Sequence, residues 1–410
     1  MPVKPGNNDF IPLIFAADIN VYSLARAFHE QYGVVSAGFG KAASGPIMNS
    51  RIIQYTAVAG ADQPVVLPGL INKFAAKHAN QRILVLGCGD NYVRRIAEAK
   101  PELADNVIVP YLDFGHLNRL ANKQGFYEIC DSFGIDHPRT LVFQESDGGR
   151  LELGFEPPYI VKPANSVGWW EHPFPGQRKV HLVDSLPELK TLLSAIYAYG
   201  YCDSVIIQEY IPGDDSQLYV LTQYFDQSGL LRLSCAGQVL YEEHTAYGIG
   251  NSAVILSQDQ PELAAQLAGM LAAQDYKGFA AFDIKRDPRN DSFKVLEVNT
   301  RQGRGNYYVT GSGLNIARFI TEDLVYGREL VPELKLREQF LWYVTPRRVA
   351  RQCAAEAGLL PLVDELMRSG KAGNPLDYPL DRSLKRMLWL ARYTNKHRRK
   401  YLDYKNSKDG

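Results

Sequence analysis

The sequence predicts a mixed chain, α/β in its first third and α+β beyond, and three observations point to that division. Strand and helix patterns alternate from Phe10 to Tyr111, the rhythm of a parallel, Rossmann-like sheet. From Leu141 the character changes, and strand patterns follow one another with fewer helices between them. Beyond about residue 331 the chain becomes helical and basic, with ten Lys/Arg against two Asp over residues 382–410. At 410 residues the chain exceeds what one hydrophobic core serves. The expected organisation is an α/β domain over 1–115, two α+β lobes over 116–205 and 206–330, and a helical basic extension over 331–410.

Each element has a local reason. Phe10–Ala17 is an apolar strand, Val21–Tyr32 has helical spacing at Leu24, Ala25 and Phe28, and Val34–Phe39 is a second strand. Arg82–Gly89 is a buried strand leading into a helix from Asn91 to about Lys100, followed by a strand over Val107–Tyr111. Gly87-Cys88-Gly89 invites a dinucleotide turn, but Tyr92 and Val93 stand where the third glycine belongs. The turn therefore reads as a tight strand-to-helix connection whose free N–H groups can face a ligand. Leu117–Phe133 is a helix carrying Lys123, and Pro157–Pro163 is a strand ending in Lys162. A small-residue loop, Ala164–Gly168, follows, then a helix over Leu186–Tyr199 and a strand over Ser204–Ile211. Strands are expected at Tyr219–Tyr224, Leu230–Ala236 and Gln238–His244, and helices at Gln260–Gln274 and Asn315–Tyr326. In the tail, Leu384, Met387, Leu388 and Leu390 interleave with basic residues around Trp389. That pattern is either a solvated helix docked on the body or a contact with an anionic membrane surface or substrate.

Composition narrows the function classes. Lys plus Arg equals Asp plus Glu at 45 each, so overall charge gives no sign of a nucleic-acid partner, and none is expected. Cys88, Cys130, Cys202, Cys235 and Cys353 lack C-x-x-C spacing and fit reduced thiols better than a disulfide framework or zinc site. The start of the chain lacks a signal-peptide apolar core, and no run approaches the ~20 apolar residues of a membrane span. A cytoplasmic location is expected.

The chemistry concentrates in one hairpin. Pro288, Arg289, Asn290 and Asp291 are turn formers, and the runs on either side alternate with the period of strands. With the turn near Asn290, Asp283 lies opposite residues 296–297. Asp283, Glu297, Asn299 and Arg301 then share one face, while Ala280, Phe282, Ile284, Leu296 and Val298 take the other. Such a face is either solvated decoration or a cation-and-phosphate site. Mg²⁺ binds through one or two carboxylates plus substrate phosphates, which Asp283, Glu297 and Asn299 can supply. Arg301 can offer its guanidinium to a phosphoryl group or carboxylate. Upstream, Lys162 and the Ala164–Gly168 loop suit phosphate oxygens. Gln208-Glu209-Tyr210-Ile211-Pro212-Gly213 suits a purine edge, with Asp214 or Asp215 reaching the ribose.

The order Lys…V-K-P…Q-E-Y-I-P-G…F-D-I-K…E-V-N-T-R resembles the ATP-grasp superfamily, in which two α+β lobes clamp ATP behind a Rossmann-like preceding domain. The motifs run from about Lys123 to Arg301, and with the preceding domain the resemblance covers about 330 residues and leaves the tail unexplained. It implies phosphate contacts from Lys123 and Lys162, with Ser166 and Gly168 in the loop over the phosphates. It further implies adenine contacts from Glu209, Tyr210 and Ile211, with Asp215 near the ribose. Asp283, Glu297 and Asn299 become ligands of Mg²⁺, two ions in all, with Glu297 bridging them. Arg301 becomes the stabiliser of an acyl phosphate. D-alanine–D-alanine ligases carry an arginine two residues before the metal Asp, where this chain has Ala281. That departure leaves Arg301 or Arg304 to hold the acceptor carboxylate.

A narrower similarity is to the D-aspartate ligase group of carboxylate–amine ligases. It rests on the opening F-I-P-L-I-F-A-A-D-I-N-V-Y-S-L-A-R-A-F, on G-C-G-D-N-Y and on E-V-N-T-R-Q-G-R-G-N-Y-Y. Members attach the β-carboxylate of D-aspartate to the lysine side chain of a peptidoglycan precursor. The resemblance thus implies ATP and Mg²⁺, a small amino acid, and an amine acceptor such as a UDP-linked peptidoglycan precursor. Peripheral membrane contact through the tail is the remaining partner expectation, and oligomeric state stays open. The N-terminal domain is expected to line the acceptor side through Asp18, Asn20, Asp90 and Asn91, although Asp18 and Asp90 are equally good helix-start residues. The alternatives are a ligase for another amino acid or small metabolite, and an ATP-binding regulatory protein without turnover.

Overall fold

Three sheets organise the chain, whose computed structural model describes residues 9–145, 151–164, 166–245 and 248–409. The first is parallel and is built from β1 (Phe10–Phe15), β2 (Ser36–Gly40), β3 (Ile53–Ala57), β4 (Arg82–Gly87) and β5 (Val107–Ile108) in the order β3-β2-β1-β4-β5. Its crossovers hold α1 (Ile19–Tyr32), α2 (Leu67–Lys77) and α3 (Asp90–Ala99). Alternation along β1 sends Leu13 and Phe15 into the core under α2 and α3, and Phe10 and Ile14 into the core shared with α1. β3 and α2 were not legible in the sequence, because β3 is an edge strand with only Ile53 buried. The strand expected over Val107–Tyr111 stops at Ile108.

The helix expected over Leu117–Phe133 is broken in two, α4 (Phe114–Ala121) and α5 (Lys123–Ser132). Asn122 leaves the helical region and accepts from the backbone N–H groups of Gln124 (3.0 Å) and Gly125 (3.2 Å), capping α5. The two helices approach so closely that a Cβ on Gly125 would lie 2.8 Å from the Arg119 carbonyl. Next come β6 (Thr140–Phe143), β7 (Tyr159–Pro163), α6 (Ser166–Glu171), β8 (His181–Val183), α7 (Leu186–Ala198) and β9 (Val205–Glu209). Their antiparallel sheet, ordered β6-β9-β7-β8, buries Tyr159, Val161, Val205 and Ile207 with α7 and Trp169.

The third sheet holds β10 (Leu218–Phe225), β11 (Leu231–Glu242), β12 (Ser252–Gln258), β13 (Gly278–Asp287) and β14 (Ser292–Asn299), backed by α8 (Pro261–Ala272). α9 (Tyr307–Gly311) and α10 (Ile316–Leu324) pack on its other side. β11 is one strand where two were expected. Gly237 at its middle is required by close packing, since a Cβ there would sit 2.5 Å from Ile255. In the hairpin, Asp283 pairs with Glu297 as anticipated, and a bulge then makes Ile284 pair with Val295. Val295 therefore enters the core in place of Leu296, which is left half-buried.

The segment after 331, expected as a helical extension, also contributes strands. β15 (Leu341–Tyr343) pairs with β12, and beyond α11 (Arg347–Glu356) and α12 (Leu360–Arg368), β16 (Ala372–Gly373) pairs with β15. The order of this sheet is β14-β13-β10-β11-β12-β15-β16. α13 (Leu384–Asp409) then docks through Trp389, Leu390, Tyr393, Tyr401 and Tyr404 on the core shared by α1 and the large sheet. Leu384, Met387 and Leu388 at its start stay exposed, at 74%, 55% and 54%. No described helix is long and apolar enough to cross a membrane. Trp342 lies fully buried where α1, the large sheet and the tail share one core. Replacing Trp342 by Ala should lower stability by about 3–5 kcal/mol, read from the denaturant midpoint at unchanged slope.

Candidate active site

The floor of the site follows from strand register. Asp283 and Glu297 face each other across β13–β14, and Ala281 faces Asn299 on the same side. Asn299 donates from Nδ2 to Asp283 Oδ2 at 3.1 Å, and Arg301 donates from Nη2 to Asn299 Oδ1 at 3.1 Å. Burial and the charge of Glu297 raise the Asp283 pKa, while the Lys123 ammonium, in contact with Glu297, lowers that of Glu297. Glu297 is therefore the more acidic of the two carboxyls. Lys123 occupies the first position of α5, where the helix dipole disfavours a cation, and its ion pair with Glu297 offsets that cost.

The opposite wall comes from the small sheet. Ile160 pairs with Gln208 and Lys162 with Ile206, so the Lys162 and Gln208 side chains share one face. Lys162 Nζ donates to Gln208 Oε1 at 2.9 Å, and Gln208 Nε2 donates to Tyr127 Oη at 2.8 Å. Tyr127 in turn donates to the Leu296 carbonyl at 2.7 Å, which closes a chain from the wall to the bulge in the floor. Burial, then the neighbouring Lys123 charge, lowers the Lys162 pKa to about 7. Lys179 adds a further positive charge near Lys162 and donates to the Ile249 carbonyl at 2.8 Å, so the two lobes' loops meet over the cleft.

The N-terminal domain closes the third side. Arg301 Nε donates to Asp90 Oδ1 at 2.7 Å, and Gln302 Nε2 reaches the Gly87 carbonyl and Cys88 Sγ, each at 3.3 Å. The Gly87-Cys88-Gly89 turn thus receives the 301–302 loop; Gly87 is needed because a Cβ would lie 2.8 Å from the Val93 nitrogen. Asp18 caps α1, accepting from Asn20 N at 3.1 Å and Val21 N at 3.4 Å. Burial raises the Asp18 pKa, against the nearby charges of Arg304 and Arg301.

Lys123, Lys162, Asp283, Glu297, Asn299 and Arg301 are therefore brought together. Other expected residues fall elsewhere. Glu209 is the main correction: its carboxylate lies on the opposite face of β9 from Lys162, and Tyr159 is its cross-strand partner. Arg139 (3.1 Å) and Arg289 (2.8 Å) hold it there and lower its pKa to about 2. The β period of two makes Gln208 the cleft-facing residue instead. Tyr210 leaves β9 with its ring 5.4 Å from the Lys285 ammonium, and Ile211 is buried. Asp215 accepts from the Glu242 N–H and the His244 ring, each at 2.8 Å. Arg304 stands beside Asp18 and reaches the Ser252 carbonyl (3.2 Å) and Tyr393. Gly168 lies within α6. The Ser166 side chain, and residues 165, 246 and 247 of the two expected lids, lie outside the described residues. Gln208 and Tyr127 were missed; strand alternation from Lys162 and one helical turn from Lys123 were the available signals.

No family model matches the chain. A D-aspartate ligase of Enterococcus faecium is 34% identical over 98% of this chain and 99% of its own length. The chain belongs to the D-aspartate ligase family. A D-alanine–D-alanine ligase of Wolbachia pipientis is 26% identical over 46% of this chain and 55% of its own. Among solved structures, an L-amino acid ligase of Bacillus licheniformis has a TM-score of 0.56 at 16% identity, over 78% of this chain and 75% of that one. N5-carboxyaminoimidazole synthetase of Staphylococcus aureus has a TM-score of 0.57 at 13% identity, covering 83% of each. These likenesses give the ATP-grasp fold, and the family makes the chain an ATP-dependent ligase that forms carbon–nitrogen bonds.

Members of this fold use ATP with Mg²⁺. No cluster of three or more His, Cys, Asp or Glu suited to a metal occurs among the described residues. The two carboxylates and one amide fit Mg²⁺ nonetheless, because its shell is commonly completed by phosphates and water. Replacing Glu297 by Gln should abolish Mg²⁺-dependent ADP formation while sparing the fold, seen as an unchanged far-UV circular dichroism spectrum. Retained turnover would remove Glu297 from the metal site. Above about pH 7 Lys162 is neutral in the free protein, and bound phosphate should raise its pKa. ATP binding at about pH 8 should therefore take up a proton, seen by calorimetry in two buffers and lost in Lys162→Met.

Proposed function

We propose that this ligase activates the β-carboxylate of D-aspartate with ATP and joins it to the lysine side-chain amine of a peptidoglycan precursor. The observation that carries the reading is the convergence of two carboxylates, an amide and a guanidinium on one floor, facing Lys123 and Lys162. The near full-length likeness to a D-aspartate ligase supports the choice of acid.

In this reading Lys123 and Lys162 hold phosphate oxygens, and Gln208 and Tyr127 keep Lys162 aimed across the cleft. An acid oxygen attacks the γ-phosphorus in line, the bond to the bridging oxygen breaks, and ADP leaves with that electron pair. Two Mg²⁺ ions bound by Asp283, Glu297 and Asn299 would supply charge neutralisation at the phosphates. Arg301, fixed by Asp90 and Asn299, holds the acyl phosphate. The amine, recognised at the acceptor side by Asp18, then attacks the carbonyl carbon and gives up its proton to solvent, and phosphate departs with the electrons of the broken C–O bond. No enzyme nucleophile is required. Burial raises the Cys88 thiol pKa, in keeping with a structural role for the cysteine nearest the site.

A ligase acting on another amino acid or metabolite remains the neighbouring reading. The convergence of Asp283, Glu297 and Asn299 with Lys123 and Lys162 speaks against a binding protein without turnover. ADP release should require D-aspartate together with a lysine-containing stem peptide, and L-aspartate should not replace it. ADP with a different acid would reassign the substrate, and none with any amino acid and amine would favour the binding protein.

A further inference from the structure

A cavity of about 460 Å³ opens beside Asp18 and Arg304, and its outer wall is α13. Trp389, Arg392, Tyr393 and Lys396 face it from that helix. The helix is seated firmly. A Cβ on Gly45 would lie 2.2 Å from the Trp389 indole, Arg386 donates to the carbonyls of Pro46 (3.1 Å) and Met48 (2.9 Å), and Lys400 pairs with Glu243. α13 therefore bridges the loop after β2 and the loop after β11.

Charge in this wall is unbalanced. Arg382, Arg386, Lys400 and Lys405 of the tail are each paired with a carboxylate. Arg392 and Lys396 have no ion pair among the described residues, and at i,i+4 on one face they repel each other. Arg304 adds a third cation, hydrogen-bonded to Tyr393 of the same helix, against the single carboxylate of Asp18. The volume falls in the range of cavities that take ligands larger than one amino acid, roughly 300–1,000 Å³. Asp18 forms part of the cavity's lining.

We propose that α13 is the anion-holding wall of the acceptor site: Arg392 and Lys396, with Arg304, bind a negatively charged group carried by the amine acceptor, a peptide carboxylate or a nucleotide phosphate. This rests on the ligase reading above and assigns a specificity role to the tail.

The test compares Arg392→Ala, Lys396→Ala and their double variant with the unsubstituted protein, using ATP and D-aspartate. Four nucleophiles are supplied: a lysine-containing stem peptide with a free C-terminal carboxylate, the same peptide amidated, its UDP-linked form, and hydroxylamine. Each single variant should raise KM for an anionic acceptor about tenfold, leaving hydroxamate formation and the KM for ATP unchanged. Loss seen with the free carboxylate but not the amide identifies the carboxylate as the bound group; loss seen only with the UDP-linked form identifies the phosphate. Unchanged KM for both anionic acceptors in the double variant would overturn the proposal. Equal loss with hydroxylamine would also overturn it, by reducing α13 to structural support. No hydroxamate from the unsubstituted protein with any acid would instead overturn the ligase reading, and the acceptor wall with it.

Discussion

Pairing Asp283 with Glu297 across the β13–β14 ladder places two carboxylates in contact on a half-buried floor, and their mutual repulsion is the constraint that the surrounding residues answer. Lys123 neutralises Glu297 from the start of a helix that would otherwise disfavour a cation there. Asn299 donates to Asp283, and Arg301 reaches the group through Asn299. The bulge at Leu296 is part of the same arrangement. It keeps the acidic pair facing the cleft while Val295 and Val298 continue to fill the core behind it. A polar floor thus rests on an apolar foundation without a break in the ladder.

The wall and the floor are joined by hydrogen bonds, while α5 of the first lobe packs directly into the core of the large sheet. Lys162, Gln208, Tyr127 and the Leu296 carbonyl form one connected path, while the cores behind the wall and the floor are separate. Lys162 in that path is desolvated, and a lysine stripped of water gains most from a phosphate partner.

The tail alters how the whole chain is held together. Residues of α1, the large sheet and α11–α13 occupy one hydrophobic cluster, so the N-terminal domain is locked to the floor through the C-terminal segment. Tyr22, at the heart of α1, donates to Asp381 at 2.8 Å, and Arg26 donates to the Pro375 carbonyl at 2.7 Å. These contacts fix the distance between Asp18, Arg304 and α13, and hence the shape of the cavity between them.

The sequence by itself determined the local elements and the floor. Alternation and turn chemistry around Asn290 were enough to set Asp283 against Glu297, because strand register follows from a period of two. Motif order named Lys123 and Lys162, and the parallel sheet followed from its strand–helix rhythm. The break at Asn122, the bulge at Leu296 and the continuous β11 were hidden, since each depends on a close contact between segments distant in sequence or on a local loss of register. Glu209 and Gln208 are adjacent, and only the pairing of β7 with β9 decided which of them faces Lys162. The basic tail was legible as an amphipathic helix, whereas its role as a wall beside Arg304 was not. Packing of α13 between two distant loops is a property of the folded surface, and one-dimensional periodicity carries no information about which surface that is.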